Sequence, residues 1–267
     1  MVKIGTSSLM KRGGGLDVGR IRALAAEIKA TKGLVRNIVV VTSGAIVAGM
    51  DALGIRGSPH ELSINMKQAC AAIGQPLLMS AYYREFSRVG LSPAQILVTQ
   101  EDFGDRAKHR NLLRTLKSLF DFGAVPVMNE NDTLAVHELK PLNKSVPSQL
   151  RFGDNDRLSA IVATEIGADL LIMLTDVEGV YVRHLADPRA RLVKTLSGVP
   201  REVLRSARGG GRLGTGGMRS KLMAARLASA AGVTVVVSNG LRKGAVRRAV
   251  QGNPDGTLIV PRSGRSR

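Results

Sequence analysis

Short runs of aliphatic and β-branched residues alternate along this chain with longer segments in which apolar residues recur at helical spacing. Such alternation is typical of an α/β fold built on a mainly parallel sheet. Several runs are apolar throughout, as strands are when helices cover both faces of their sheet. The predicted strands are 2–7, 37–43, 94–100, 124–131, 169–176, 233–239 and 256–260, and the predicted helices include 17–32, 62–88, 108–122, 156–167 and 216–231.

The size and composition of the chain limit its class. Its 267 residues, 44% of them hydrophobic, suffice for one domain or two closely joined lobes around a sizeable core. The apolar runs are far shorter than the roughly 20 residues that a membrane-spanning helix needs, and no signal sequence precedes the first predicted strand. We therefore expect a cytoplasmic protein with no membrane partner. Cys70, the one cysteine, falls on a helical pattern and is interpreted as a small buried hydrophobe.

The formal charge of +18 favours anionic partners, which include nucleic acids, nucleotides and anionic metabolites. Charge alone does not choose among them. Aromatic residues, on which bases would stack, make up 3% of the chain, and the basic residues are spread along it. A solvated basic surface is the simpler interpretation, and we expect no specific nucleic acid partner. A non-catalytic, basic nucleic-acid-binding protein is the alternative from a different functional class.

Four of the predicted strands end in small polar or acidic residues, at 5–7, 42–44, 129–132 and 175–176. Each group alone is an ordinary helix cap or turn. In a parallel sheet, however, the carboxyl ends of the strands meet at one edge, and ligands bind there. Four polar strand ends together predict a ligand site at that edge.

A glycine-rich stretch, GGGRLGTGGMRSK at 209–221, runs into a predicted helix. The backbone N–H groups of such a loop and the positive end of the helix dipole form a cradle for phosphate. The Walker pattern G-x-x-x-x-G-K-[ST] is absent from the sequence. Gly209, Gly211 and Gly214 satisfy G-x-G-x-x-G, but the preceding PREVLRSARG (200–209) has a helical pattern where a strand is required, so we interpret this match as accidental.

Seven motifs follow one another along the chain: VKIGTSS, VVVTSGAIVAG, PVMNENDT, RFGDNDRLSA, LTDVEGVY, DPRA and GTGGMRSK. In order and spacing they resemble the glutamate 5-kinase branch of the amino acid kinase family, from residue 2 to about residue 260. The resemblance implies a three-layer αβα sandwich around a mainly parallel, roughly eight-stranded sheet. It also implies a kinase domain at 1–261 and a basic tail at 262–267, with no PUA domain of the kind that many bacterial members carry.

The resemblance implies ATP-dependent phosphorylation of the γ-carboxylate of L-glutamate, the first step of proline biosynthesis. Lys3 and Lys221 would contact the phosphates of ATP and Asp156 would position both lysines, which suits a reaction that depends on alignment and charge neutralisation. The other positions matching the family's ATP site are Thr175, Asp176, Thr215, Gly216, Gly217, Met218, Arg219 and Ser220. Those matching its glutamate site are Ser43, Gly44, Asp132 and Asn155.

Magnesium is expected with ATP, since it bridges the β and γ phosphates and keeps several waters. We assign it no protein ligand: Asp154 or Asp156 could hold it through water, although helix capping is the competing role of Asp154. A carboxylate substrate is ionised at neutral pH and needs no general base, which fits motifs without histidine. His60, His109, His137 and His184 are interpreted as surface or packing residues.

The resemblance further implies a homo-oligomer, either a dimer or a tetramer, and a glutamyl phosphate reductase as a partner. The segment 137–154, which breaks both periodicities, is expected to be a hairpin or mobile loop, and the family's substrate and proline-feedback loop falls there. Feedback by proline therefore stays open. Another member of the family, acting on a different carboxylate or phosphate acceptor, is the alternative within the same fold.

Overall fold

A computed structural model of the chain describes residues 1–11, 14–135, 155–181, 190–206 and 217–262. The chain divides into two compact units. Met1–Ser8 and Asp154–Arg267 make up the terminal unit, and Leu9–Gly153 the central unit. The predicted loop at 137–154 and the glycine-rich residues 209–216 lie outside the described residues, and the predicted domain limit at residue 261 stays a prediction.

The central unit combines three parallel strands with helices. Its elements are β2 (Val40–Val41), β3 (Pro93–Val98), β4 (Val125–Glu130), α2 (Val18–Thr31), α3 (Ala45–Ala52), a 3₁₀ turn (Pro59–Glu61), α4 (Ile64–Ser87), α5 (Gln100–Gly104) and α6 (Arg106–Asp121). The strands lie in the order β3-β4-β2, with Val40 beside Val127 and Pro93 beside Val125. All six residues of β4 are buried, so helices cover both faces of this strand.

The described residues of the terminal unit form five strands. Its elements are β1 (Val2–Ile4), β5 (Leu170–Thr175), β6 (Thr195–Ser197), β7 (Thr234–Asn239), β8 (Thr257–Val260), α7 (Asn155–Glu165), α8 (Arg201–Ser206), α9 (Met218–Ala230), α10 (Ala245–Val250) and the short α1 (Thr6–Leu9), whose last residue belongs to the central unit. The strand order is β1-β5-β7-β8-β6, and β7 and β8 pair antiparallel while the other pairs are parallel.

The core of the terminal unit lies between its strands and two helices. Leu171 and Met173 of β5 pack with apolar residues of β7, α7 and α9 in one buried cluster. Ile172, which points to the opposite face of β5, is also buried, and α10 packs against β5 and β7. Helices therefore cover both faces, and the mainly parallel α/β class predicted from the sequence is confirmed.

The predicted elements are confirmed in place but several ends are corrected. The first strand stops at Ile4 because the backbone turns at Gly5, whose carbonyl accepts a hydrogen bond from the N–H of Ser8 at 3.0 Å. The second predicted strand shrinks to two residues. Within the described ranges, no helix is long and apolar enough to cross a membrane.

Candidate active site

Three charged side chains meet in the terminal unit, although they lie far apart in sequence. Lys3 occupies the middle of β1 beside Met173 of β5, and adjacent residues of neighbouring parallel strands point to the same face. That face is covered by α7 and α9, because Met173 packs in their cluster. Asp156 lies in the first turn of α7 and Lys221 in the first turn of α9. The strand and both helices thus direct their charged side chains into one place.

The Asp156 carboxylate joins the two lysines. Its Oδ1 accepts a hydrogen bond from Lys3 Nζ, and its Oδ2 lies 3.1 Å from Lys221 Nζ. The exposed fractions of the three side chains are 0% for Asp156, 5% for Lys3 and 9% for Lys221. We call this group the lysine–aspartate trio.

Electrostatics keep the Asp156 carboxylate charged. Burial alone would raise the pKa of Asp156, but the charges and hydrogen bonds of Lys3 and Lys221 together outweigh burial and hold that pKa below its usual range. The carboxylate is therefore ionised at neutral pH and fixes both ammonium groups. Two positive charges beside one negative charge, in a place from which water is largely excluded, suit the stabilisation of a phosphate-like anion.

The N-terminus of α9 adds backbone donors beside Lys221. Gly217 is its N-cap and has no side-chain oxygen that could accept from the first N–H groups. Its carbonyl accepts from the N–H of Ser220 at 3.0 Å, which starts the helix with Met218, Arg219 and Ser220 in its first turn. The positive end of the helix dipole therefore lies at Gly217, beside three residues matched to the ATP site.

A polar edge follows the carboxyl ends of β5 and β7. Thr175, which is buried, donates from Oγ1 to Asp176 Oδ1 at 3.1 Å and pairs in register with Asn239. Asn239 Nδ2 donates to Glu178 Oε1 at 2.9 Å, and Arg242 Nε lies 2.7 Å from Glu178 Oε2. Sequence reasoning missed the group of Asn239, Glu178 and Arg242, although the signal was present: VVVSNG ends in polar residues like the four strands singled out above.

In the central unit, the end of β2 turns directly into α3. Thr42 still bonds to the ladder, since its N–H donates to Met128 O at 2.9 Å, and Ser43 is buried. Gly44 is the N-cap of α3 with φ of 105°, in the left-handed region where a side chain would be strained. The chain therefore places Ser43 and the first N–H groups of α3 at the carboxyl end of β2, as an anion site requires.

The end of β4 lies beside the end of β2. Because Val41 pairs with Met128, the last two residues of β4, Asn129 and Glu130, lie next to Thr42 and Ser43. Asp132 follows in the turn after β4 and is partly buried. The sequence predicted that the polar strand ends lie at one edge of a sheet, and this is confirmed within each unit.

Of the other predicted residues, Asn155 begins α7, whereas Thr215 and Gly216 lie outside the described residues, as does Asp154. Cys70 is 1% exposed, which confirms a small buried side chain. His60 lies on the surface, and the ring centroid of His109 is 6.0 Å from that of Phe103.

The fold and the trio suit the binding of a phosphate-bearing ligand, and comparison with known sequences identifies the family. The profile of the amino acid kinase family matches residues 1–239, and the chain belongs to that family.

Within the family, the chain is similar to proteins named glutamate 5-kinase. It is 43% identical to the protein of Trichlorobacter lovleyi over 263 residues, covering 98% of this chain and 66% of that protein. It is 40% identical to the protein of Moorella thermoacetica, covering 100% of this chain and 68% of that protein. It is 43% identical to the protein of Geobacter metallireducens, covering 98% of this chain and 67% of that protein. The chain thus spans about two thirds of the length of these relatives.

Proposed function

We propose that this chain phosphorylates the γ-carboxylate of L-glutamate with ATP and forms L-glutamyl 5-phosphate, the first step of proline biosynthesis. Similarity to glutamate 5-kinases over nearly the whole chain supports the reaction and the acceptor. The observation that carries the proposal is the buried lysine–aspartate trio. Two buried ammonium groups fixed by one carboxylate are suited to a phosphoryl group passing between two anions.

In the proposed reaction, a γ-carboxylate oxygen of glutamate forms a bond to the γ-phosphorus of ATP. The bond from that phosphorus to the bridging oxygen breaks, and ADP leaves with the electron pair. No proton has to move, because the attacking carboxylate is already ionised. Lys3 and Lys221 reduce the repulsion between the two anions, and Asp156 keeps both lysines in place.

The nucleotide is proposed to lie along the carboxyl edge of β5 and the N-terminus of α9. The buried Thr175 and the backbone donors that follow Gly217 support this placement. Glutamate is proposed to bind through Ser43, the N–H groups after Gly44 and Asp132, a role supported by the positive φ of Gly44 before a helix start. The role of Asn155 in glutamate binding stays a prediction from the resemblance.

Mg²⁺ is proposed to accompany ATP and to neutralise charge on its phosphates. Both carboxylate oxygens of Asp156 already accept from lysines, which favours the positioning role for this residue over the role of metal ligand. The metal is therefore proposed to bind mainly to phosphate oxygens and water.

A homo-oligomer, a cytoplasmic location and a glutamyl phosphate reductase partner are also proposed. The helix α4 supports self-association, because Met66, Ile73 and Leu77 lie 7 and 4 residues apart along one helix face and are 44%, 40% and 45% exposed. Light scattering at several concentrations measures the molecular mass of the parent protein and of Leu77→Glu. An unchanged mass for both proteins at all concentrations, equal to that of one chain, contradicts the oligomer.

The reaction is tested by measuring ADP release with ATP, Mg²⁺ and one acceptor from the set of L-glutamate, N-acetylglutamate, aspartate and UMP. Hydroxylamine in a parallel sample traps an acyl phosphate. We expect glutamate-dependent ADP release together with γ-glutamyl hydroxamate. Turnover with another acceptor instead would support a kinase but exclude glutamate as its acceptor. Absence of turnover with every acceptor would favour a binding protein.

Two lysine variants show whether the trio carries the activity. Lys221→Ala removes a buried ammonium group of the trio, whereas Lys117→Ala removes an ammonium group from a side chain that is 78% exposed on α6. We expect kcat to fall by about 10²-fold or more in the first variant and to stay within about twofold in the second. Similar turnover of both variants would remove Lys221 from the mechanism.

A further inference from the structure

Helix α4 makes a hydrogen bond to the end of β2. Tyr82 Oη lies 2.9 Å from Thr42 Oγ1, and both residues are buried, with exposed fractions of 0% and 1%. Burial raises the pKa of Tyr82 well above its usual range, although the hydrogen bond with Thr42 acts in the opposite direction. The hydroxyl is therefore neutral, and it fixes the residue that immediately precedes Ser43.

The same helix makes a second hydrogen bond, to the end of β4. Asn129 Nδ2 donates to Gln75 Oε1 at 2.8 Å, and the exposed fractions of the two residues are 1% and 9%. Asn129 lies at the end of the strand, directly before Glu130 and three residues before Asp132. The two polar side chains of α4 thus reach two neighbouring strand ends.

A third contact joins α4 to the start of α3. A Cβ on Gly74 would lie 1.8 Å from Ala45 O, so the two backbones approach as closely as glycine permits. Ala45 follows Gly44 and is the first residue of α3. The position of α4 therefore sets the position of the helix start that follows Ser43.

The end of β2 needs such support because the strand is short. It consists of Val40 and Val41, and its ladder with β4 has two residue pairs followed by the bond from Thr42 N to Met128 O. The ladder to β4 thus holds the backbone by few bonds where the candidate substrate residues begin. Buried hydrogen bonds from a long, well-packed helix can supply that rigidity.

We propose that Tyr82 and Gln75 are positioning residues, which hold the ends of β2 and β4 in the arrangement that binds the acceptor carboxylate. This inference rests on the proposed function for the identity of the acceptor. Neither side chain is assigned a contact with substrate. Their effect is exerted through Thr42 and Asn129, on the residues that follow each of them.

The test uses two variants that remove polar atoms and keep the size of the side chain, Tyr82→Phe and Gln75→Met. Tyr83→Phe is the matched control, because it removes the same hydroxyl from the next residue of α4, which is 64% exposed. The first readout is the KM for glutamate and the KM for ATP. The second is hydrogen exchange of the backbone amides at 42–45 and 129–132, which needs no substrate.

We expect the KM for glutamate to rise about tenfold in Tyr82→Phe and Gln75→Met, with the KM for ATP changed less than about twofold. Amide exchange should become faster at 42–45 in the first variant and at 129–132 in the second. Tyr83→Phe should match the parent protein in both readouts. A general loss of stability would instead move both KM values and exchange throughout the central unit.

The inference is overturned if both variants behave like Tyr83→Phe, or if the two KM values rise equally and exchange increases throughout the central unit. Failure of the proposed function looks different. In that case the parent protein does not turn over glutamate. Hydrogen exchange, together with the KM for the acceptor that the protein does use, then decides whether α4 holds the two strand ends. Should Gln75→Met fail to fold, Tyr82→Phe decides the matter by itself.

Discussion

Replacing Gly74 by alanine has two opposite effects on the free energy of unfolding: a higher helix propensity raises it, and a clash with the backbone of α3 lowers it. A Cβ at this position of α4 would lie 1.8 Å from Ala45 O and 2.4 Å from the backbone nitrogen of Gly49. Across the same contact, a Cβ on Gly49 would lie 1.8 Å from Cys70 O. Since real Cβ atoms essentially never approach other atoms within 3.0 Å, α3 and α4 would have to move apart by more than 1 Å.

The magnitude follows from the two terms. Alanine in a helix interior is favoured over glycine by about 1 kcal/mol. Overpacking a filled interface costs about 1–3 kcal/mol and sometimes more, and here the obstructing atoms are backbone, which cannot rotate away as a side chain could. We therefore expect the free energy of unfolding to fall by about 2 kcal/mol or more in Gly74→Ala. The KM for glutamate should rise as well, because Ala45 begins the helix that follows Ser43.

Urea unfolding measures the stability of Gly74→Ala beside that of Gly104→Ala. Gly104 ends α5, and nothing lies within 4 Å of the position of its Cβ, so this control should be as stable as the parent protein or slightly more stable. Equal or greater stability of Gly74→Ala would refute the reasoning, because helix propensity would then have outweighed the close approach of the two backbones.

Three further changes test other parts of the molecule. Asp156→Asn leaves two buried ammonium groups without their carboxylate, so the free energy of unfolding should fall by about 3 kcal/mol, as measured by thermal or urea unfolding. The double variant with Lys3→Met should recover part of this loss. Asp132→Ala should raise the KM for glutamate far more than the KM for ATP, and equal increases would contradict its assignment to the acceptor. Hydrogen bonds from Arg22 and two neighbouring arginines outweigh burial and lower the pKa of Glu85 to about 2. The stability this group contributes is therefore complete above its unfolded pKa of about 4.3 and is lost as the pH falls towards 2, so Glu85→Gln should flatten the acid side of the stability profile.

The local patterns of the sequence were sufficient for most of the fold. The central runs LLIML of β5 and VVV of β7 are apolar throughout because helices cover both faces of those strands, and strands of this kind are easily recognised. Long helices with one buried face, such as α2, follow from the spacing of Ile21, Leu24 and Ile28. Elements without a periodic signal were missed: α3 is apolar on nearly all sides, and β6 has three residues.

For the candidate site, too, one part followed from the sequence and another only from the tertiary structure. The sequence by itself determined which chemical groups end the strands, and its motifs named Lys3, Asp156 and Lys221 through resemblance to a family. Only the tertiary structure decided that these three side chains, separated by 153 and 65 residues, meet at one carboxylate and are buried there.

The supporting contacts of Gln75 and Tyr82 were also decided by the tertiary structure alone. Periodicity reports which face of a helix is buried, but it does not report which atom of a distant strand a buried polar side chain will meet. That choice depends on how closely two helices approach, and here the approach is set by two glycines whose role becomes visible when the backbones are in contact.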